Sequence, residues 1–180
     1  MAADPAIDLW AMDEVHFQQH GSRCRMWIPP EVHDPVVLHQ PTRKSVGYFG
    51  AVRIRDGKFI YMREQESFNA QSCHEFLVEL HKASRSSGRR IVVIADNAKY
   101  HHAKLHKDWR DEKCSEFALD FLPPYSPDLN PVERVWKLTR RSCTHNRYFA
   151  MLDDLIAPVE SQFNEWAEPN NALRRLCAIT

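Results

Sequence analysis

Between Leu122 and Arg141 the chain reads LPPYSPDLNPVERVWKLTRR, a stretch that leaves little freedom to what surrounds it. Pro123, Pro124 and Pro127 each fix φ and remove a backbone donor, so neither a helix nor a sheet strand can run through them. At Asn130-Pro131 the rule reverses. Asn130 suits a helix N-cap, and Pro131 suits the first helical position, where a missing N–H costs nothing. Val132, Val135, Trp136 and Thr139 then recur at i, i+3, i+4 and i+7, the buried stripe of an amphipathic helix. Glu133 falls on the first turn, beside that stripe. A capping box with Asn130 explains a glutamate there, but not so stiff a lead-in. A carboxylate that must meet a metal ion in a fixed place explains both.

Two upstream segments offer such a carboxylate its partners. Ile91 to Ala95 is a continuous apolar run, β-branched and short, as a strand buried on both faces should be. It ends at Asp96-Asn97. Ile7 to Met12 is a second strand candidate, ending at Asp13-Glu14. Open α/β sheets form their sites outside the carboxyl ends of strands. Two strand-terminal aspartates and a helix-borne glutamate thus make an Asp13, Asp96, Glu133 cluster. Hard oxygen ligands of this kind suit Mg²⁺ or Mn²⁺. Glu14, next to Asp13 on an extended strand, should face the other way and stay idle.

In this order, Asp13 in AMDEVHF, Asp96 in ADNAKYHHA and Glu133 in LPPYSPDLNPVERVW, the chain resembles the catalytic domain of mariner-like DDE transposases, nearest the bacterial insertion-sequence branch. The resemblance runs from about Ile7 to the helix after Glu133. It implies an α/β, ribonuclease-H-like fold: a mixed five-stranded sheet, three antiparallel strands then two parallel, flanked by helices. It also implies metal-dependent cleavage of DNA and transfer of a 3′-hydroxyl strand at element ends. Asn97 and one of His101 or His102 match polar positions of the family motif and would orient water or phosphate. The partners implied are double-stranded DNA, both terminal repeats and target, and a second copy of the chain on that DNA. Full-length members place helix-turn-helix DNA-binding domains before the catalytic domain. With Asp13 so early, such a domain is expected to be absent from these residues.

Size and composition agree with one catalytic domain, its core at about residues 7–145 and a covering helix at about 150–167. The 180 residues are 43% hydrophobic and 27% charged, a globular balance. No apolar run is long enough for a bilayer, and the opening residues through Pro5 do not read as a signal peptide, so a cytoplasmic, membrane-free chain is expected. The five cysteines, Cys24, Cys73, Cys114, Cys143 and Cys177, include no C-x-x-C pair and read as free thiols rather than zinc ligands. Formal net charge is zero, so distribution matters more than total. Arg134, Lys137, Arg140, Arg141 and Arg147 gather on and after the Glu133 helix, a candidate grip for a phosphate backbone. A merely solvated helix face fits the charges equally well.

The remaining elements follow from pattern. Phe17 to Gln40 is loop-rich, broken at Pro29, Pro30 and Pro35, with Met26-Trp27-Ile28 a possible short strand and Trp27 most simply a core residue. Ser45 to Arg55 and Lys58 to Met62 flank Asp56-Gly57, a hairpin signal. Asn69 should cap a helix whose stripe includes Cys73, Phe76, Leu77 and Leu80, ending at Ser86-Ser87-Gly88. His101 and His102 should open a helix with Leu105 and Trp109 on one face, before a strand at Phe117 to Phe121. A last helix carries Leu152, Leu155, Ile156, Val159, Phe163 and Trp166, with Pro158 predicting a kink or a later start.

In the chemistry this arrangement implies, two metal ions about 3.5–4 Å apart serve the nucleophile and the leaving oxygen. Asp13 would bridge them, Asp96 would hold one and Glu133 the other. A ribonuclease H or junction resolvase would share fold and metals, but not the LPPYSPDLNP lead-in. A domesticated, non-catalytic DNA-binding module would not need all three carboxylates. A purely structural domain would leave their placement a coincidence.

Overall fold

The computed structural model describes residues 4–33, 36, 38, 41–64 and 66–179; the breaker expected at Pro35 and the first three residues lie outside them. Five strands form one sheet in the order β3-β2-β1-β4-β5. These are β1 (Ile7–Gln18), β2 (Ser45–Arg53), β3 (Phe59–Glu64), β4 (Arg90–Ala95) and β5 (Phe117–Phe121). β1 pairs antiparallel with β2 and parallel with β4, while β2–β3 is antiparallel and β4–β5 parallel. This is the mixed ribonuclease-H-like sheet expected from the sequence. Among the described residues no helix is long and apolar enough to cross a membrane.

Side-chain alternation along β1 divides the interior in two. Leu9, Ala11, Val15 and Phe17 pack with α3 (Val132–Thr139), α4 (Leu152–Glu165) and α5 (Asn171–Leu176). Trp10 and Met12 belong to the opposite core, against α1 (Ala70–Ser84) and the short α2 (Lys107–Glu112). Both faces of the sheet are covered, which is why its central strands read as apolar runs. Asn69 caps α1 as expected, in a capping box with Ser72. The Asp56-Gly57 turn uses the left-handed conformation at Gly57, φ 74°.

Four local expectations are corrected. Trp27 is fully exposed and Met26-Trp27-Ile28 is not a strand, because no element among the described residues packs over it. His101 and His102 lie in a 3-10 turn, Lys99–His102, and extended backbone at Ala103 separates it from further turns before α2 begins. Leu105 is consequently exposed, while Trp109 packs against the core. α4 starts at Leu152 and passes through Pro158 without a later start.

The fourth correction bears on the site. β1 does not end before Asp13. Its pairing with β4 stops at Ala11↔Ile94, yet its pairing with β2 continues to Gln18↔Ser45. Asp13 is therefore in mid-strand, two residues beyond the last parallel pair, where the sheet opens on one side only. A crevice at the carboxyl end of the parallel strands results, with one wall still built of hydrogen-bonded strand.

Candidate active site

Asp13, Asp96 and Glu133, from β1, the end of β4 and the first turn of α3, line one cleft of about 420 Å³. Pro123, Pro124, Tyr125, Ser126 and Pro127 form its other side. The prolyl turn is tied down at its start, where Leu122 N–H donates to Ala95 O at 2.9 Å and the Asn97 side-chain amide donates to Leu122 O. At the turn's apex Tyr125 has φ 58° and a fully exposed ring, a backbone conformation uncommon for an aromatic residue.

Asn130 makes no capping box with Glu133, so the rival explanation of that glutamate does not apply. Asn130 is buried, and its Nδ2 donates across to Met12 O at 2.9 Å, leaving Oδ1 with a long contact of 3.4 Å from Val132 N. The reason is distance to the strand: the asparagine fastens the helix entry to β1 one residue before Asp13. α3 is then held a second time, by Trp136 Nε1, which donates to Asp13 Oδ2 at 3.1 Å. No described residue donates a hydrogen bond to the Glu133 carboxylate, which remains available in the cleft.

Burial raises the pKa of Asp13 to about 7, helped by the adjacent charges of Glu14 and Glu133 and opposed by the Trp136 hydrogen bond. A nearby cation would favour the ionised form of this carboxyl. Asp96 is arranged differently. Its Oδ1 accepts from Ala98 N at 2.9 Å and lies 3.0 Å from His101 Nδ1, so both contacts fall on one oxygen and Oδ2 is left over. The donor set fits hard divalent cations: carboxylates with unengaged oxygens, facing a common cleft, with neither sulfur nor nitrogen among them.

Glu14 does face away from Asp13, but it is not idle. Its Oε1 is 2.9 Å from His101 Nε2, and its side chain is 8% exposed. His101 is completely buried. Burial opposes charge on this ring, but contacts with Cys73 and Glu14 outweigh it and lift the pKa to about 11. Glu14, Asp96 and His101 are the group of potential ligands among the described residues whose atoms all lie within 4.8 Å of one another. Asp13, Asp96 and Glu133 share a cleft but are not so tightly gathered.

The supporting residues differ in setting. Asn97 is exposed and fixes the prolyl turn. His102 stacks on Phe121 at 4.0 Å, with Nε2 3.3 Å from Asn97 Oδ1. Of the basic candidates, Arg134 is engaged elsewhere: Nη1 donates to Leu176 O at 2.9 Å and Ala178 O at 3.1 Å, satisfying carbonyls at the end of α5. Arg140 lies over the Phe17 ring at 5.7 Å. Lys137, Arg141 and Arg147 are exposed. Sequence reasoning missed Trp136 as a donor, Asn130 as a cross-link and Glu14 as a partner of His101. Only the indole carried a signal, being a polar-tipped aromatic one turn from Glu133.

A family profile described as DDE superfamily endonuclease matches residues 8–156. An uncharacterised protein of Sinorhizobium fredii is 33% identical over 117 residues, 65% of this chain and 82% of that protein. An uncharacterised 39 kDa protein of insertion element IS630 from Shigella sonnei is 30% identical over 88 residues, 49% of this chain but 25% of that protein. Among solved structures, the catalytic domain of Mos1 mariner transposase superposes with TM-score 0.60 at 16% identity, over 94% of this chain and 75% of that one. A pre-cleavage Mos1 transpososome gives TM-score 0.70 at 16% identity, over 94% and 52%. The chain thus spans about half of the longer Mos1 chains. Mos1 paired-end complexes have been solved with Mn and with Mg.

Proposed function

The chain belongs to the DDE superfamily endonucleases, and we propose that it is the catalytic domain of a transposase of the mariner and IS630 type, cutting DNA at the ends of an insertion element and joining the freed 3′-hydroxyl to a target. The observation that carries this reading is the convergence of Asp13, Asp96 and Glu133 on one cleft beside the prolyl turn.

Asp13, Asp96 and Glu133 would hold two Mg²⁺ or Mn²⁺ ions. Bound there, the ions supply an activated water or 3′-hydroxyl and offset charge on the phosphoryl oxygens. The chain's own part is positioning. Trp136 and Asn130 hold α3, and with it Glu133, against β1. Asn97 holds the prolyl turn as the outer wall, while His102, bonded to Asn97, would orient water or phosphate. Lys137, Arg140, Arg141 and Arg147 would grip the backbone of duplex DNA on the side of α3. Two copies would act together when two element ends are paired, in the cytoplasm of a bacterial cell.

The experiment is cleavage of supercoiled DNA carrying the element's terminal repeats, with Mg²⁺ or Mn²⁺ and with EDTA. Asp13→Asn, Asp96→Asn and Glu133→Gln each keep shape and lose charge, and each should lower cleavage by orders of magnitude with the fold intact. Equal activity in EDTA and Mg²⁺, or full activity in any of the three variants, refutes the proposal.

A further inference from the structure

A buried glutamate needs a reason, since removing a carboxylate from water is costly unless something charged or hydrogen-bonding meets it. Glu14 is met by His101 Nε2 at 2.9 Å, and the Tyr100 hydroxyl also bonds to it. The other side of the same ring presents Nδ1 to Asp96, 3.0 Å from Oδ1 and 3.1 Å from the backbone oxygen. Both ring nitrogens are thus engaged by protein oxygens. A bonded chain therefore runs Glu14–His101–Asp96, from β1 to the residue that follows β4. It lies where the sheet has ceased to connect the two strands, because their last pair is Ala11↔Ile94. Nothing in the ladder fixes the distance between Asp13 and Asp96. The histidine chain does.

We infer that Glu14 is a positioning residue for the metal site: through His101 it holds the Asp96 carboxylate by Oδ1 and so leaves Oδ2 aimed into the cleft. The inference rests on the metal-dependent reading of that cleft. A polar partner behind a metal ligand, fixing its orientation, is a general feature of such sites. Both nitrogens of His101 already face protein oxygens, so the ring is not free to serve as a ligand in this arrangement. The compact Glu14, Asp96, His101 group is thus a support for a metal site rather than a second one.

The test is Mn²⁺ titration of the 180-residue chain without DNA, read by electron paramagnetic resonance of the free ion, with thermal unfolding of each unliganded variant as the fold control. Glu14→Ala and His101→Ala should each weaken Mn²⁺ binding about 10–100-fold, the range for lost support of a metal ligand. The double variant should be no weaker than His101→Ala alone, because both changes break one chain. Glu14→Gln keeps the volume and one acceptor. It should lose less affinity than Glu14→Ala, nothing further in the His101→Ala background, and it carries the comparison if the alanine variant does not fold. A general structural role predicts instead additive losses that follow the unfolding midpoints, and that result overturns the inference. So does an imidazole nitrogen coupled to bound Mn²⁺. If the wild-type chain binds no Mn²⁺, or binds it unchanged in Asp13→Asn, the metal-dependent reading fails and takes this inference with it. Mn²⁺ binding that needs Asp13 but ignores Glu14 overturns this inference alone.

Discussion

Trp136 Nε1 donates to Asp13 Oδ2 at 3.1 Å, so the helix that carries Glu133 is bonded directly to the strand residue across the cleft. The indole also fills the space opposite. Gly50 is paired with Asp13 in the β1–β2 register, and its missing Cβ is where the Trp136 ring sits. Phe59 closes the ring's edge at a centroid distance of 5.7 Å. Geometry of the cleft and packing of the core are here the same contact.

Trp136→Phe separates the two roles. It keeps an aromatic ring against Phe59 but removes the donor and part of the volume. The expected cost in urea unfolding is about 1–3 kcal/mol, with metal-supported DNA cleavage falling more than stability alone accounts for. Unchanged cleavage in a folded variant would show that the Asp13 hydrogen bond is incidental.

Gly50→Ala approaches the same contact from the strand side. Its Cβ would clash with the edge of the Trp136 ring at Cη2 and fall 2.8 Å from Phe59 Cζ, and neither side chain is at a surface where it could swing away. Overpacking of this kind costs about 1–3 kcal/mol. Displacement of Trp136 should appear as a change in native tryptophan fluorescence, and Glu133 should move with α3, lowering cleavage. A variant as stable and as active as the parent would contradict the placement of the indole.

Most of the architecture was legible because periodicity and turn chemistry were strong. β4, β5, the Asp56-Gly57 hairpin and the capped α1 lie where pattern puts them, within a residue or two. The end of β1 was not legible, since its continuation past Asp13 depends on the partner β2, and a lone strand pattern does not state which neighbour persists. Trp27 shows the opposite limit. Hydrophobicity predicts burial only if some element arrives to cover it, and none does among the described residues. In the site, residue types and order pointed to one cleft, but the hydrogen bonds of Asn130, Trp136 and Glu14 join residues far apart in sequence. Spacing along the chain carries no trace of such pairings.

On the proposed metal-dependent reading, metal and proton compete for Asp13. Its folded pKa, raised to about 7, lies above that of an unfolded aspartate. Between those values the folded chain holds a proton that the unfolded chain has released, so this residue's contribution makes the metal-free protein less stable as pH rises through the window. A cation that replaces the proton removes the penalty. The rise in unfolding midpoint on adding Mg²⁺ should therefore be larger at about pH 8 than at about pH 5.5, and Asp13→Asn should abolish the difference. Calorimetry at both pH values with and without EDTA checks it, and a metal effect independent of pH would count against the raised Asp13.

The basic residues around α3 divide by what they already touch. Arg134 is bonded to the carbonyls of Leu176 and Ala178, whereas Lys137, Arg141 and Arg147 are exposed and hold no described carboxylate. A cation that satisfies backbone carbonyls is held in place by the protein and is a poor phosphate contact. An exposed one without such partners can displace counterions from DNA. Each phosphate so neutralised contributes about 0.9 to the slope of log affinity against log salt. Lys137→Ala, Arg141→Ala and Arg147→Ala should each flatten that slope by about one for a duplex of arbitrary sequence, because such contacts position the backbone without reading bases. Arg134→Ala should leave the slope unchanged and instead lower the unfolding midpoint, by freeing the end of α5. The measurement is a fluorescence-anisotropy titration at several salt concentrations alongside thermal unfolding. An Arg134→Ala variant that loses salt dependence at full stability would mean that its guanidinium leaves α5 for the DNA when the duplex arrives.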